Sequence, residues 1–316
     1  MKKIIQTLLV LSILFCFTGC KEKEESTTFN IYSLTGPTSM GLVKLYSDDS
    51  SKNYISHIVS DASEISSALI NEEADIAMLP ANLASILYNK TKDFKVVAIN
   101  TLGVLYIVEN GDSINSLNDL KGKSIVLTGQ GTTPEYVLRY LLNETGIEEE
   151  VELIFKSSAN EVATTLASGL ADIALLPQPF VTVALSKNSN LRIALDLSEQ
   201  YSNMTNGQQL ITAVTVVRNE ILENYPNAIK EFLNQYQNSI SWINENSQEA
   251  AQLIVEMGIL NDATIAEEAL PYCNLVYIDD SEMKTLLESY LTILYDADKT
   301  SIGNQLPDED FYYIND

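Results

Sequence analysis

Two glycine-containing turns carry the residues of this chain best suited to chemistry: Thr35-Gly36-Pro37-Thr38-Ser39-Met40-Gly41 and Thr128-Gly129-Gln130-Gly131-Thr132-Thr133-Pro134. Each follows an apolar strand-like run and leads into an amphipathic segment. Glycine permits a tight turn, hydroxyl residues cap a helix, and proline suits its first turn. The unpaired N–H groups of a helix start, with the positive end of its dipole, can hold a polar or anionic group without a charged side chain. Capped helices occur throughout α/β proteins, but a matched pair suggests two walls of one site. Thr35, Pro37, Thr38, Ser39 and Met40 are therefore candidate ligand residues, as are Gln130, Thr132 and Thr133. Two Leu-Pro corners add Asn82, after Leu79-Pro80-Ala81, and Gln178, after Leu176-Pro177, both able to donate and to accept hydrogen bonds. Phe180 suits a core role better than stacking on a ligand. The turns Ser60-Asp61 and Ser157-Ser158 are weaker candidates. None of the principal candidate turns carries Lys or Arg, which favours a neutral polar or singly charged solute.

Catalytic patterns are thin. Gly129-Gln130-Gly131 lacks the third glycine of a dinucleotide fingerprint, and neither a Gly-x-Ser-x-Gly elbow nor a phosphate-binding Gly-Lys-[Ser/Thr] loop occurs. The single histidine, His57, falls in a strand-like run where a packed or surface role is expected. One histidine and few cysteines cannot assemble a His/Cys zinc site, so neither a metal nor a cofactor is expected.

The elements that position these turns come in two copies. Ala74-Asp75-Ile76-Ala77-Met78-Leu79-Pro80 returns as Ala171-Asp172-Ile173-Ala174-Leu175-Leu176-Pro177, 97 residues on from Asp75 to Asp172. The register holds upstream, where Ser60, Ala62, Glu64, Ile65 and Leu69 match Ser157, Ala159, Glu161, Val162 and Leu166. This indicates two α/β units facing each other across a cleft. Strands are expected at 29–34, 54–59, 75–79, 95–100, 104–109, 123–128, 151–156, 172–176, 191–196 and 210–217, with helices between, hence mostly parallel sheets. The repeated aspartates read as scaffold. Residues 198–209 read as a polar segment. From Pro226 the pattern is helical, with Ile229, Phe232, Leu233, Tyr236, Ile240 and Ile243 at helical spacing and no strand expected in this tail. The tail is expected to pack on the first unit, with the chain crossing between units near 110 and near 205. Cys273 reads as a small buried hydrophobe, and no intrachain disulfide is expected.

The net charge is −24, and loss of Lys2 and Lys3 with a leader segment makes it −26, which disfavours nucleic acid and anionic lipid as partners. Lys2, Lys3 and the apolar run 4–17 read as a secretion signal too short for an ordinary membrane span. Residues 21–28 are too polar to pack.

Phe17-Thr18-Gly19-Cys20 resembles the lipobox of bacterial lipoproteins, which implies lipidation of Cys20. The lipobox, the Gly36–Leu42 turn, the 74–83 corner and the Asp-Leu-Lys-Gly-Lys entry at 119–123 together resemble the solute receptors of ABC transporters. The nearest group binds sulfonates, taurine, nitrate or thiamine-pyrimidine precursors, and the likeness runs over 29–313. The implied fold is the α/β, two-lobed type II periplasmic-binding-protein fold, the Venus flytrap, with its helical C-terminal segment on lobe 1. The implied organisation is a signal peptide at 1–19, a tether at 20–28, lobe 1 at 29–110 with 206–316, and lobe 2 at 111–205. The implied function is a non-enzymatic, monomeric receptor, lipid-anchored on the outer face of the cell membrane, delivering a small solute to ABC permease transmembrane subunits. Pyrimidine- and menaquinone-pathway enzymes resemble the same fold, and a surface sensor without transport is a further alternative.

Overall fold

The computed structural model describes residues 28–48 and 52–314. The leader and Cys20 lie outside the described residues. The first unit runs β1 (Phe29–Leu34), α1 (Pro37–Met40), α2 (Val43–Ser47), β2 (Tyr54–Val59), α3 (Ala62–Ile70), β3 (Ile76–Pro80), α4 (Ala81–Thr91) and β4 (Phe94–Leu102). The second runs β5 (Leu105–Asn110), β6 (Ser124–Leu127), α5 (Thr133–Glu144), β7 (Glu152–Phe155), α6 (Ala159–Ala167), β8 (Ile173–Pro177), α7 (Phe180–Lys187), β9 (Leu191–Asp196) and α8 (Leu197–Met204). Then follow β10 (Ile211–Arg218), α9 (Asn219–Asn224), α10 (Pro226–Glu245), α11 (Ser247–Glu256), α12 (Ala263–Ala269), β11 (Leu275–Ile278) and α13 (Asp280–Ala297).

β3 is buried along its whole length, as an apolar run flanked by neighbours on both faces should be. It lies inside a sheet ordered β11-β4-β10-β3-β1-β2, while the second sheet is ordered β7-β6-β8-β5-β9. Both are mixed, not mostly parallel. Helix crossovers make β1 parallel to β2 and β3, and β6 parallel to β7 and β8. β5 and β10 each arrive from the other sheet and insert antiparallel to their neighbours.

Three further expectations are corrected. β5 belongs to the second sheet, so the first crossing is at Gly103-Val104, not near 110. Residues 197–204 form a helix where a polar segment was expected, because Leu197 and Tyr201 bury against the second unit. The tail does contain a strand, β11, whose Leu275 pairs with Thr101 on β4. Between β1 and β2 the helical stretch is broken at Gly41-Leu42 into α1 and α2. A Cβ on Gly41 would lie 3.3 Å from the Tyr236 hydroxyl, so glycine lets α10 approach closely.

Asp75 is scaffold through its side chain, and both repeated aspartates tie the fold through their main-chain carbonyls. Asp75 Oδ2 accepts from Asn30 N–H (2.8 Å), and the carbonyls of Asp75 and Asp172 accept from Arg218 (3.1 Å) and Asn110 (2.8 Å). The predicted apolar face of α10 is buried in full, contributing on the order of 10 kcal/mol before chain entropy is counted. The tail covers the first sheet but also reaches the second unit, since α12 touches α7 and α13 touches α5.

Cys273 is fully buried, its Sγ 3.8 Å from Met40 Sδ, and burial pushes its thiol up to about 12. A thiol reagent at neutral pH is expected to leave the native protein unlabelled and to react once urea unfolds it. Fast labelling of the native state would show that this packing opens readily.

Candidate functional site

Between the two sheets lies a cleft of about 1200 Å³. Both glycine turns open into it. β1 and β3 deliver Leu34, Thr35, Pro37, Thr38 and Pro80 from the first unit, and β6 and β8 deliver Thr128–Pro134, Pro177 and Gln178 from the second. This is the crevice beyond the carboxyl ends of the strands, the usual place for a ligand in an α/β sheet. The floor is formed where the chain crosses between sheets, at Val104, Leu105, Thr212 and Ala213.

Seven of the ten candidate ligand residues line the cleft: Thr35, Pro37, Thr38, Gln130, Thr132, Thr133 and Gln178. Three do not. Met40 is fully buried in the core of the first unit against Cys273. Ser39 faces its own turn, where its Oγ accepts from Gly36 N–H (3.2 Å) and donates to Gly36 O (3.0 Å). Asn82, 0% exposed, is a clamp: its Nδ2 donates to Ser301 O (2.9 Å) and Gly131 O (3.4 Å), and its Oδ1 accepts from Thr133 Oγ1 (3.2 Å). It ties α4 to the second turn and to the chain end.

Three of the candidate hydroxyls on the wall have committed their hydrogens. Thr35 donates to Val59 O (3.1 Å), Thr38 to Leu34 O (2.9 Å), and Thr132 to Gly129 O (2.7 Å). Toward the cleft they present lone pairs. Several backbone donors are committed as well. Thr35, Gly36, Ser39 and Met40 in the first turn donate within the protein, as do Gly131 and Thr132 in the second. The Gly131 N–H meets the buried carboxylate of Glu135 at 2.7 Å, which Arg139 holds at 2.8 Å.

The structure adds walls that the sequence reading missed or ranked low. Ser60, Asp61, Ser157 and Ser158 all line the cleft, and the register of the repeat had matched these two turns. Phe180 is both buried and part of the wall. Lys156, Lys187 and residues 258–262 line it too, although none belonged to a candidate turn. Lys156 pairs with Glu161 at 3.4 Å, and Glu161 is held below the usual carboxylate range chiefly by the hydroxyl and N–H of Ser157, with Lys156 adding to this. His57 lies outside the lining, stacked on Tyr32 at 4.3 Å. Among the described residues no cluster of His, Cys, Asp or Glu could hold a metal, and no helix is long and apolar enough to cross a membrane.

A family profile described as "ABC transporter, phosphonate, periplasmic substrate-binding protein" matches residues 54–261, more than half of the chain. Comparison with curated protein sequences gave no match. Among solved structures, the chain is similar to an ABC transporter protein of Parabacteroides distasonis, with 25% identity, a TM-score of 0.75, and coverage of 92% of this chain and 100% of that one. It also shares its fold with the periplasmic aliphatic sulphonate binding protein of Escherichia coli (13% identity, TM-score 0.70, coverage 92% and 94%). The periplasmic nitrate-binding protein of Synechocystis is a third such structure (12% identity, TM-score 0.66, coverage 88% and 84%).

Proposed function

The chain belongs to the periplasmic phosphonate-binding family of ABC transporter substrate-binding proteins, and on that premise we propose that it captures a small polar or anionic organic solute in the cleft between its sheets. It is an extracytoplasmic solute receptor of an ABC importer, and the fold is that of the type II receptors. The observation that carries the location is the convergence of both strand-to-helix turns on one cleft at two chain crossings. Seven candidate residues (Thr35, Pro37, Thr38, Gln130, Thr132, Thr133 and Gln178) would touch the solute. In this reading the bodies around the two sheets are lobes that close about the crossings, and the solute favours closure by bridging both. The protein acts as a monomer, performs no turnover, and hands its cargo to the permease subunits.

A thermal-shift screen over phosphonates, sulfonates, nitrate, pyrimidines and neutral heterocycles tests this. A solute at 100 times its Kd adds about 2.7 kcal/mol, a rise of several degrees in Tm. X-ray scattering should show a smaller radius of gyration in its presence. If no solute in a broad panel moves either quantity, the cleft is not a solute site.

We also propose that Cys20 anchors the receptor through lipid, supported by the lipobox resemblance and by the family's extracytoplasmic setting. Cys20→Ser is expected to move the protein from the membrane fraction to the soluble exported fraction. Retention on the membrane would rule the anchor out.

A further inference from the structure

The buried part of the cleft carries no charge. Its ionisable lining residues are Asp61, Lys156, Lys187 and Asp262. Three are exposed, and the half-buried Lys156 already pairs with Glu161. The start of α5, of the kind able to hold a polar or anionic group, already holds an anion of its own in Glu135, on the Gly131 N–H. A second anion placed there would meet like charge with no unpaired buried cation to offset its lost hydration, a cost of several kcal/mol.

What the buried wall does offer is an unmatched neutral donor. Gln178 is 2% exposed, and its Oε1 accepts from Thr182 Oγ1 (2.9 Å) and Thr182 N–H (3.4 Å). A backbone N–H meets only an acceptor, which identifies the other amide atom as Nε2. Among the described residues nothing accepts from this Nε2, although it belongs to the cleft wall. The Nε2 atom is not among the fully buried unpaired side-chain atoms and so reaches the open cleft. An occupant that displaces water from it without accepting its hydrogen bond loses about 1–3 kcal/mol, so the site favours one that accepts. Among the described residues Thr128 Oγ1 has no hydrogen-bond partner either, and it lines the same cleft. β6 and β8 pair in parallel with Val126 opposite Ala174, so Thr128 and Gln178 leave adjacent strand ends. Apolar Leu105, Val104 and Phe180 line the wall beside them.

We propose that the end of the solute entering this wall is uncharged. It is an amide, urea or ring carbonyl that accepts from Gln178 Nε2 and exchanges a hydrogen bond with Thr128, not a phosphonate or sulfonate head. Any charge on the solute stays at the exposed mouth, near Lys187. This rests on the cleft being the solute site and narrows its ligand class.

The test titrates wild type, Gln178→Glu and Thr128→Val with two probe sets by calorimetry. The neutral set is nicotinamide, uracil and 2-pyrrolidone; the anionic set is methylphosphonate, phenylphosphonate and ethanesulfonate. At least one neutral probe is expected to bind wild type, with a Kd indifferent to salt between about 0.05 and 0.5 M. Gln178→Glu keeps the acceptor for Thr182 but loses the donor, and should weaken that probe roughly tenfold or more at about pH 8. Affinity should return as pH falls and the introduced carboxyl is protonated, because it then donates again; a packing defect would not recover in this way. Thr128→Val should weaken the same probe several-fold.

Binding of anionic probes alone, reduced by Gln178→Glu, overturns the proposal while leaving the cleft as the solute site. Neutral binding that neither substitution changes overturns the proposal and the cleft location together. Failure of all neutral probes likewise overturns the proposal.

Discussion

Arg192→Met is expected to lower stability by about 3 kcal/mol, the cost of stranding a buried carboxylate. Glu109 on β5 is 2% exposed and sits directly opposite Arg192 on β9. Its carboxylate accepts from Ser113 N–H (3.2 Å), Ser113 Oγ (3.1 Å) and Ile114 N–H (3.1 Å), and the Arg192 guanidinium completes the set. That guanidinium also donates to Gly111 O (3.2 Å) and Ile114 O (2.6 Å). Removing it leaves the charge held by neutral donors alone and frees two carbonyls. The Arg192 side chain is 36% exposed, so solvent screening places the loss at the low end of the range for buried pairs. Urea melts should show a lower midpoint at unchanged slope. Adding Glu109→Gln should recover part of the loss. A change below about 1 kcal/mol would mean that water already reaches Glu109.

Gly103→Val is expected to cost a similar amount, about 3 kcal/mol, through overpacking at the first crossing. A Cβ built on Gly103 lies 2.1 Å from Ser198 Oγ, 2.9 Å from Ser198 Cβ and 3.2 Å from Leu210 Cβ. Ser198 and Leu210 belong to the segment that makes the second crossing, so the two passages between sheets touch at this glycine. The Gly103 carbonyl is held by Asn274 Nδ2, which limits any backward shift. The smaller Gly103→Ala should be destabilising and largely rescued by Ser198→Gly, a coupling that a double-mutant cycle would measure. An additive cycle would remove the proposed contact. Since any closing motion turns on these passages, the Gly103 variants should also shift solute affinity without touching solute.

Much of the fold was legible because its signals are local. The repeat 97 residues apart predicted two similar α/β units, and strands such as Phe29–Leu34, Tyr54–Val59 and Leu191–Asp196 were read to the residue from their apolar runs. The face of α10 followed from helical spacing. What escaped was long-range. β11 is a strand because β4 lies ready to pair with it, and α8 is a helix because Leu197 and Tyr201 find a buried surface. Nothing in those stretches announces either partner. β5 reads like any apolar strand, and which sheet takes it depends on the direction in which the chain leaves Gly103.

The site divides in the same way. Sequence placed the two glycine turns and the Leu-Pro corners at strand ends, since turn chemistry is written in neighbouring residues. It had no means to show that Asn82, Ser39 and Met40 are spent inside the protein. Their partners, Ser301, the Gly36 carbonyl and Cys273, become neighbours or come into line only when the chain is folded. Nor could it bring Lys187 and residues 258–262 to the cleft, because they come from the end of one helix and a connection in the tail. The amino-acid order thus set the duplication, the class of fold and the turns that face each other. Only tertiary structure decided which donors remain free in the cleft, because a hydrogen bond is assigned by distance and angle between groups such as Asn82 and Ser301, 219 residues apart.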